Sequence, residues 1–136
     1  SVLCRLEAAA GKRGISLTLS GEHAMVNGVS QVLDEMVFNL CDNAVKYNRE
    51  NGHVHVFVSE GNGHVTLRVE DDGIGIPAAD QVRVFERFYR VDKSHSKEIG
   101  GTGLGLSIVK HGAAFHNARV ALESELGKGT TVTVTF

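Results

Sequence analysis

The segment Ser30-Gln-Val-Leu-Asp-Glu-Met-Val-Phe-Asn-Leu-Cys-Asp-Asn-Ala-Val-Lys-Tyr47 decides how the rest of the chain is read. Leu33, Met36, Val37, Leu40 and Ala44 recur at three- and four-residue spacing, the period of one helix face. Against that face stand Glu35, Asn39, Asn43 and Lys46. At 3.6 residues per turn these four fall within a stripe about 80° wide. Most polar stripes are solvated faces. Two asparagines one turn apart in an apolar helix are less ordinary, because asparagine competes for backbone hydrogen bonds and suits caps better. An amide oxygen is also a hard ligand suited to Mg²⁺, and a lysine one turn on can reach a phosphate. The helix alone leaves both readings open. Asn27 or Ser30 is its candidate cap.

On either side the period changes to two. Ile15, Leu17 and Leu19 alternate with Ser16 and Thr18, as a strand does. Residues 53–59 and 64–71 alternate as well, and Glu60-Gly-Asn-Gly63 between them reads as a hairpin turn. Residues 79–90 suit short helices, and residues 91–103 are a polar, glycine-rich loop. A helix is expected from Leu104 to about His116, with Leu104, Ile108 and Phe115 near one stripe. Strands at Val120–Glu123 and Thr130–Phe136, joined by Leu126-Gly-Lys-Gly129, end the chain. Residues 2–10 read as the end of a helix stopped near Gly11. The fold class expected is α+β, with antiparallel strands and helices gathered on one face.

Two glycine-rich loops remain. Asp71-Asp-Gly-Ile-Gly-Ile-Pro77 follows a strand directly. A carboxylate there, beside glycines that admit a ligand to the backbone, can accept a hydrogen bond from an exocyclic amine. A tight acidic turn has the same composition. Gly100-Gly-Thr-Gly-Leu-Gly105 runs into a helix, where freed N–H groups and the positive helix end suit an anion. No GxxxxGK[ST] string is present, and the GxGxG spacing follows a polar loop rather than a strand. P-loop and Rossmann sites are therefore disfavoured. Between the loops, residues 83–97 hold five cationic side chains (Arg83, Arg87, Arg90, Lys93, Lys97) against Glu86 and Asp92. Such a basic stretch suits a lid over phosphates, with Phe85, Phe88 and Tyr89 as anchors.

Composition bounds the function. At 136 residues, 42% hydrophobic and 22% charged, the chain fits one domain with an ordinary core. Its net charge of −2 does not point to nucleic acid. Cys4 and Cys41 form no metal or redox spacing, which favours a reducing compartment. His53 and His55 share a strand face without a third ligand nearby. No apolar run approaches a membrane span and no signal peptide is recognisable. Ser1 opens onto helix-like sequence with no preceding Met, as expected of a fragment.

Taken in order, the motifs resemble the catalytic domain of sensor histidine kinases over nearly the whole chain. Asn39-Leu-Cys-Asp-Asn-Ala-Val-Lys-Tyr47 is similar to that family's N box, Asp71-Asp-Gly-Ile-Gly-Ile-Pro77 to its G1 box and Phe85-Glu-Arg-Phe-Tyr-Arg90 to its F box. Gly101-Thr-Gly-Leu-Gly-Leu-Ser-Ile-Val-Lys110 is similar to its G2 box, and Gly127-Lys-Gly-Thr130 to its last glycine box. Each string is a modest signal, whereas five in order are specific. One departure is His116-Asn-Ala-Arg119, where the family often has His-Gly-Gly; Asn117 can still take a left-handed cap.

The resemblance implies a two-layer α/β sandwich of the Bergerat (GHKL) type: a mixed, mostly antiparallel sheet with about three helices on one face. It implies a single ATP-binding domain over 1–136, with 1–10 as the tail of a linking helix and 91–103 as the ATP lid. Asp71 would accept from the adenine N6 amino group. Gly73, Gly75, Ile76 and Thr130 would line the adenine pocket, and Tyr47 and Tyr89 would border the nucleotide. Asn43 would coordinate Mg²⁺ with Asn39 close by, and Lys46 and Arg90 would contact phosphates. Gly101, Thr102, Gly103, Leu104 and Gly105 would hold the phosphates through the backbone. The implied catalytic set is Asn39, Asn43, Lys46 and Arg90, acting on Mg-ATP.

The implied reaction moves a phosphoryl group from ATP to a histidine on a separate dimerisation domain, for passage to a response regulator. The implied setting is a cytoplasmic domain of a parent anchored in the bacterial inner membrane, without direct membrane or nucleic-acid contact. The family's hydrolytic cousins carry a glutamate base where this chain has Asn39, which favours an imidazole nucleophile over water. None of the seven histidines here has the acceptor's sequence context. Two alternatives stand beside this reading: a nucleotide-binding regulatory module without transfer activity, and a serine kinase of the anti-sigma-factor type. The identity of the phosphorylated side chain separates them.

Overall fold

Helix α1 (Ser30–Lys46) buries Met36, Leu40, Cys41, Ala44 and Val45, with Leu33 and Val37 packed against the same core. The computed structural model describes residues 10–12, 14–21, 28–61, 63–86 and 105–136. Ser30 is not the cap of α1. It is the first helical residue, and the cap position falls to Val29, whose side chain makes no capping bond. Asn27 lies outside the described residues. The Val29 N–H instead donates to His116 Nε2 at 3.1 Å. Nδ1 of that ring donates to Gly112 O at 2.8 Å, so the two bonds define the Nδ1–H tautomer. An unpaired N–H at a helix start is thus satisfied from far along the chain.

Strands β1 (Ser16–Gly21), β2 (His53–Gly61), β3 (His64–Asp71), β4 (Arg119–Glu125) and β5 (Gly129–Thr135) form one sheet in the order β1-β2-β3-β5-β4. β1 runs parallel to β2, and the other pairs are antiparallel. A parallel pair needs a crossover, and α1 is that crossover. Strand β2 runs further than expected: Gly61 still pairs with His64, so the hairpin turn is shorter than residues 60–63. Val54, Val56, Leu67, Val69, Val132 and Val134 bury the inner face. They join one core with the helices, giving the expected two-layer α+β sandwich.

Helix α2 (Gly105–Phe115) packs on α1 by a different face from the one anticipated. Its buried residues are Ser107, Val109, Gly112 and Ala113, while Phe115 is 67% exposed and Leu104 lies outside the described residues. The cause is close approach at Gly112, where a β-carbon would lie 2.6 Å from Met36 Cγ. That contact turns the 109/112/113 face toward α1. The helix ends as the His116-Asn-Ala-Arg119 departure allows. Asn117 is left-handed at φ 54°. Ala118 N–H reaches Ala113 O at 2.8 Å and Asn117 N–H reaches Ala114 O at 3.2 Å, the two bonds of a Schellman end.

Among the described residues, the short helices expected over 79–90 reduce to a 3₁₀ turn at Ala78–Asp80 followed by turns. Residues 10–12 are helical. The rest of the expected linking helix, and the expected lid over 91–103, lie outside the described residues.

Candidate nucleotide site

Asp71 is the last residue of β3, in register with Val54 on one side and Thr130 on the other. Alternation along the strand puts it on the core face with Leu67 and Val69. Its Oδ1 accepts the Gly73 N–H at 2.9 Å. Burial pushes its pKa up to about 6, against the opposing backbone hydrogen bonds of Gly73 and Thr130. A proton on this carboxyl turns an acceptor into a donor, so a ligand amine should bind the ionised form. With a pKa near 6, the ionised fraction falls roughly fourfold between pH 7.5 and 5.5. ADP affinity should fall by a similar factor relative to Asp71→Asn, measured by titration calorimetry at both pH values. A profile parallel to that of Asp71→Asn would remove Asp71 from recognition.

The same shift sets the sign for stability. The folded value lies above the ordinary 3.8, so Asp71 opposes folding fully above about pH 6. That opposition fades as pH falls toward about 4. The position is costly to the fold, as functional carboxylates often are.

The loop after Asp71 lies against the end of α1. Tyr47 O accepts the Ile74 N–H at 3.2 Å. A β-carbon on Gly73 would lie 2.5 Å from Tyr47 O and 2.9 Å from Asn48 Cα, so only glycine fits there. Gly75 is left-handed at φ 73°, and a β-carbon on it would overlap Glu125 O. On the far side the loop meets the β4–β5 hairpin. Gly127 N–H donates to Ile74 O at 2.8 Å. Ile76 N–H donates to Ser124 Oγ at 2.8 Å, and that hydroxyl also meets Thr130 Oγ1 at 2.8 Å. Tyr47, Asp71, Gly73, Gly75, Ile76 and Thr130 are thus brought together around this loop.

Three further side chains join this region without having been singled out. Arg49 Nη2 donates to Gly73 O at 3.0 Å and to Gly127 O at 2.7 Å. Gln81 Nε2 donates to Ile76 O and to Ser124 O, each at 2.9 Å. Ser124 had a signal, being a serine at an inward position after Val120 and Leu122. Arg49 and Gln81 had none, because polar residues in loops read as solvated.

The polar stripe of α1 faces the start of α2. A β-carbon on Gly105 would lie 3.3 Å from both Asn43 Oδ1 and Asn43 Nδ2, and 3.4 Å from Asn39 Oδ1. Asn39 Nδ2 donates to Glu35 O at 2.7 Å, which leaves its amide oxygen on the Gly105 side. Lys46 Nζ pairs with Asp42 Oδ2 at 3.0 Å, a partner the stripe did not include. Tyr89, Arg90, Gly101, Thr102, Gly103 and Leu104 lie outside the described residues.

Elsewhere, His53 and His55 each have partners of their own. The Asp72 carboxylate takes His53 through both its N–H (2.6 Å) and its ring Nδ1 (2.8 Å). These bonds outweigh the slight burial of Asp72 and lower its pKa. His55 stacks on Phe57 at 4.0 Å. Cys41 is buried, which pushes its thiol up to about 12 and leaves it unreactive at neutral pH. Among the described residues no three His, Cys, Asp or Glu side chains cluster as metal ligands. An amide oxygen is a donor that suits a hard cation such as Mg²⁺. Asn43 and Asn39 beside Gly105 have that chemistry.

Comparison with known proteins agrees with this fold. The family described as histidine kinase-, DNA gyrase B-, and HSP90-like ATPase matches residues 28–136. Sensor histidine kinase WalK of Bacillus subtilis is 46% identical over 110 residues, 79% of this chain and 17% of WalK. Sensor-like histidine kinase SenX3 of Mycolicibacterium smegmatis is 42% identical over 133 residues, 97% of this chain and 35% of SenX3. The solved mycobacterial sensor histidine kinase MprB superposes with a TM-score of 0.82 at 31% identity, covering 99% of this chain and 91% of that one. The chain belongs to the histidine kinase-, DNA gyrase B- and HSP90-like ATPase family, in its sensor histidine kinase branch. It spans about a third or less of the length of WalK and SenX3. Among the described residues no helix is long and apolar enough to cross a membrane.

Proposed function

We propose that this domain binds Mg-ATP and presents its γ-phosphoryl group to a histidine on the dimerisation domain of its parent sensor kinase. The observation that carries the reading is the pairing of two unlike ends. A half-buried carboxylate (Asp71) stands at one, and the oxygens of Asn39 and Asn43 stand beside the glycine-started helix α2 at the other. Asp71 accepts the adenine amino group, within a pocket walled by Gly73, Gly75, Ile76 and Thr130. Tyr47 and Tyr89 border the nucleotide. Lys46, released from Asp42, and Arg90 balance phosphate charge, and Gly101, Thr102, Gly103, Leu104 and Gly105 are the candidate backbone partners of the phosphates. Asn43 holds Mg²⁺ with Asn39 close by; when bound, the ion neutralises the triphosphate.

The incoming imidazole nitrogen forms the new N–P bond as the bond from the γ-phosphorus to the bridging oxygen breaks, and ADP leaves. Such a transfer depends on positioning and charge neutralisation more than on a protein base. Asn39 offers no base to activate water, so hydrolysis should be slow. The parent is read as membrane-anchored, with this domain on the cytoplasmic side and a response regulator downstream. The test supplies γ-labelled ATP to the isolated chain, with and without the parent's histidine-bearing hairpin domain. Label should appear only on that added domain, and it should be acid-labile as phosphohistidine is. Robust labelling of the isolated chain itself, or acid-stable label, would sink the reading.

A further inference from the structure

Two side chains outside all five family boxes bridge the loop after Asp71 to the β4–β5 hairpin. Both hydrogens of Arg49 Nη2 are directed at carbonyls on separate turns, Gly73 O at 3.0 Å and Gly127 O at 2.7 Å. Gln81 Nε2 does the same at the other end, to Ile76 O and Ser124 O at 2.9 Å each. Residues 73–76 are therefore fastened to the hairpin at both ends. Arg49 enters from the end of α1, and Gln81 from the 3₁₀ turn. The hairpin itself is tied back to the site, since Ser124 Oγ meets Thr130 Oγ1 at 2.8 Å and Thr130 pairs with Asp71.

We propose that Arg49 and Gln81 are positioning residues for the nucleobase end of the site, holding the 73–76 loop in its binding geometry before a nucleotide arrives. The proposal rests on the reading that Asp71 recognises adenine. A loop with two glycines has much backbone freedom to lose, and a loop ordered only on binding subtracts that loss from affinity. Bridging hydrogen bonds move the ordering into folding. The chemistry of each bridge is specific. A guanidinium nitrogen offers two hydrogens in a fixed plane, and a primary amide does likewise, whereas a carboxylate offers none. Neither side chain needs to touch the ligand.

The test compares wild type, Arg49→Ala, Gln81→Ala, the double variant and the near-isosteric Gln81→Glu. Each is titrated with ADP and, separately, with magnesium tripolyphosphate, which has no base. Each single variant should weaken ADP binding about fivefold to tenfold, and the double variant more than either. Gln81→Glu should resemble Gln81→Ala, because it keeps the size and loses the donors. Tripolyphosphate affinity should stay at the wild-type value throughout. Unchanged ADP affinity in both single variants, or equal loss for ADP and tripolyphosphate, overturns the positioning role. Asp71→Ala separates the two readings. If that variant binds ADP as wild type does, or wild type binds none, adenine recognition by Asp71 fails and the proposal falls with it. If Asp71→Ala loses ADP while Arg49→Ala and Gln81→Ala keep it, the positioning role alone falls.

Discussion

Asn43→Ala should reduce labelling of the histidine-bearing domain by at least about 100-fold, the scale on which removing one transition-state charge stabiliser acts. Asn43 is half-buried on α1, with both amide atoms 3.3 Å from where a β-carbon of Gly105 would stand. Its side chain therefore meets the start of α2, where the phosphates are expected. The backbone role of Asn43, accepting the Tyr47 N–H at 3.0 Å, survives the substitution. The helix should persist, since alanine is the better helix former. The loss should thus fall on transfer, with a near-native melting temperature. ADP affinity measured without magnesium should change little, whereas its enhancement by magnesium should vanish. Transfer that persists at the wild-type rate would mean that Asn43 is not the cation ligand.

Asp71→Ala should weaken nucleotide binding tenfold or more while leaving the fold intact. A ligand amine left without its acceptor in a buried site costs about 1–3 kcal/mol, and each 1.4 kcal/mol is a factor of about ten. Two effects act on the unliganded fold. Removing a carboxylate whose pKa is raised to about 6 by burial relieves a penalty on folding at neutral pH. Removing its oxygens orphans the Gly73 N–H, bonded at 2.9 Å, and the Thr130 N–H. Asp71→Asn loses the charge but keeps one amide oxygen to accept from these groups. At pH 7.5 Asp71→Asn should therefore melt above Asp71→Ala and still bind ADP poorly, a divergence between stability and function. Calorimetry giving wild-type affinity for either variant would remove Asp71 from adenine recognition.

Local pattern was enough for much of this. The α1 face of Met36, Leu40 and Ala44 is buried as its spacing said, and the β2–β3 hairpin follows its alternation. Asp71 was legible as a carboxylate at a strand end, and Asn39 and Asn43 as asparagines one turn apart in an apolar helix. Asn117 took the left-handed turn its side chain permits. Where a local rule misled, a distant contact had overruled it. Ser30 lost the cap because His116 supplies the acceptor, and the stripe through Phe115 lost the core because Gly112 lets α2 settle on Met36.

What the sequence by itself determined was the five strands, the two long helices, the core face of α1 and the family's motifs, since periodicity and motif are written within a few residues of chain. The tertiary structure alone decided the sheet order β1-β2-β3-β5-β4 and the bridges made by Arg49 and Gln81. The physical reason is range. The bonds from Arg49 to Gly127 and from Gln81 to Ser124 join residues 78 and 43 positions apart. A polar side chain in a loop has the same local sequence whether it ends in water or on a carbonyl that folding brings to it.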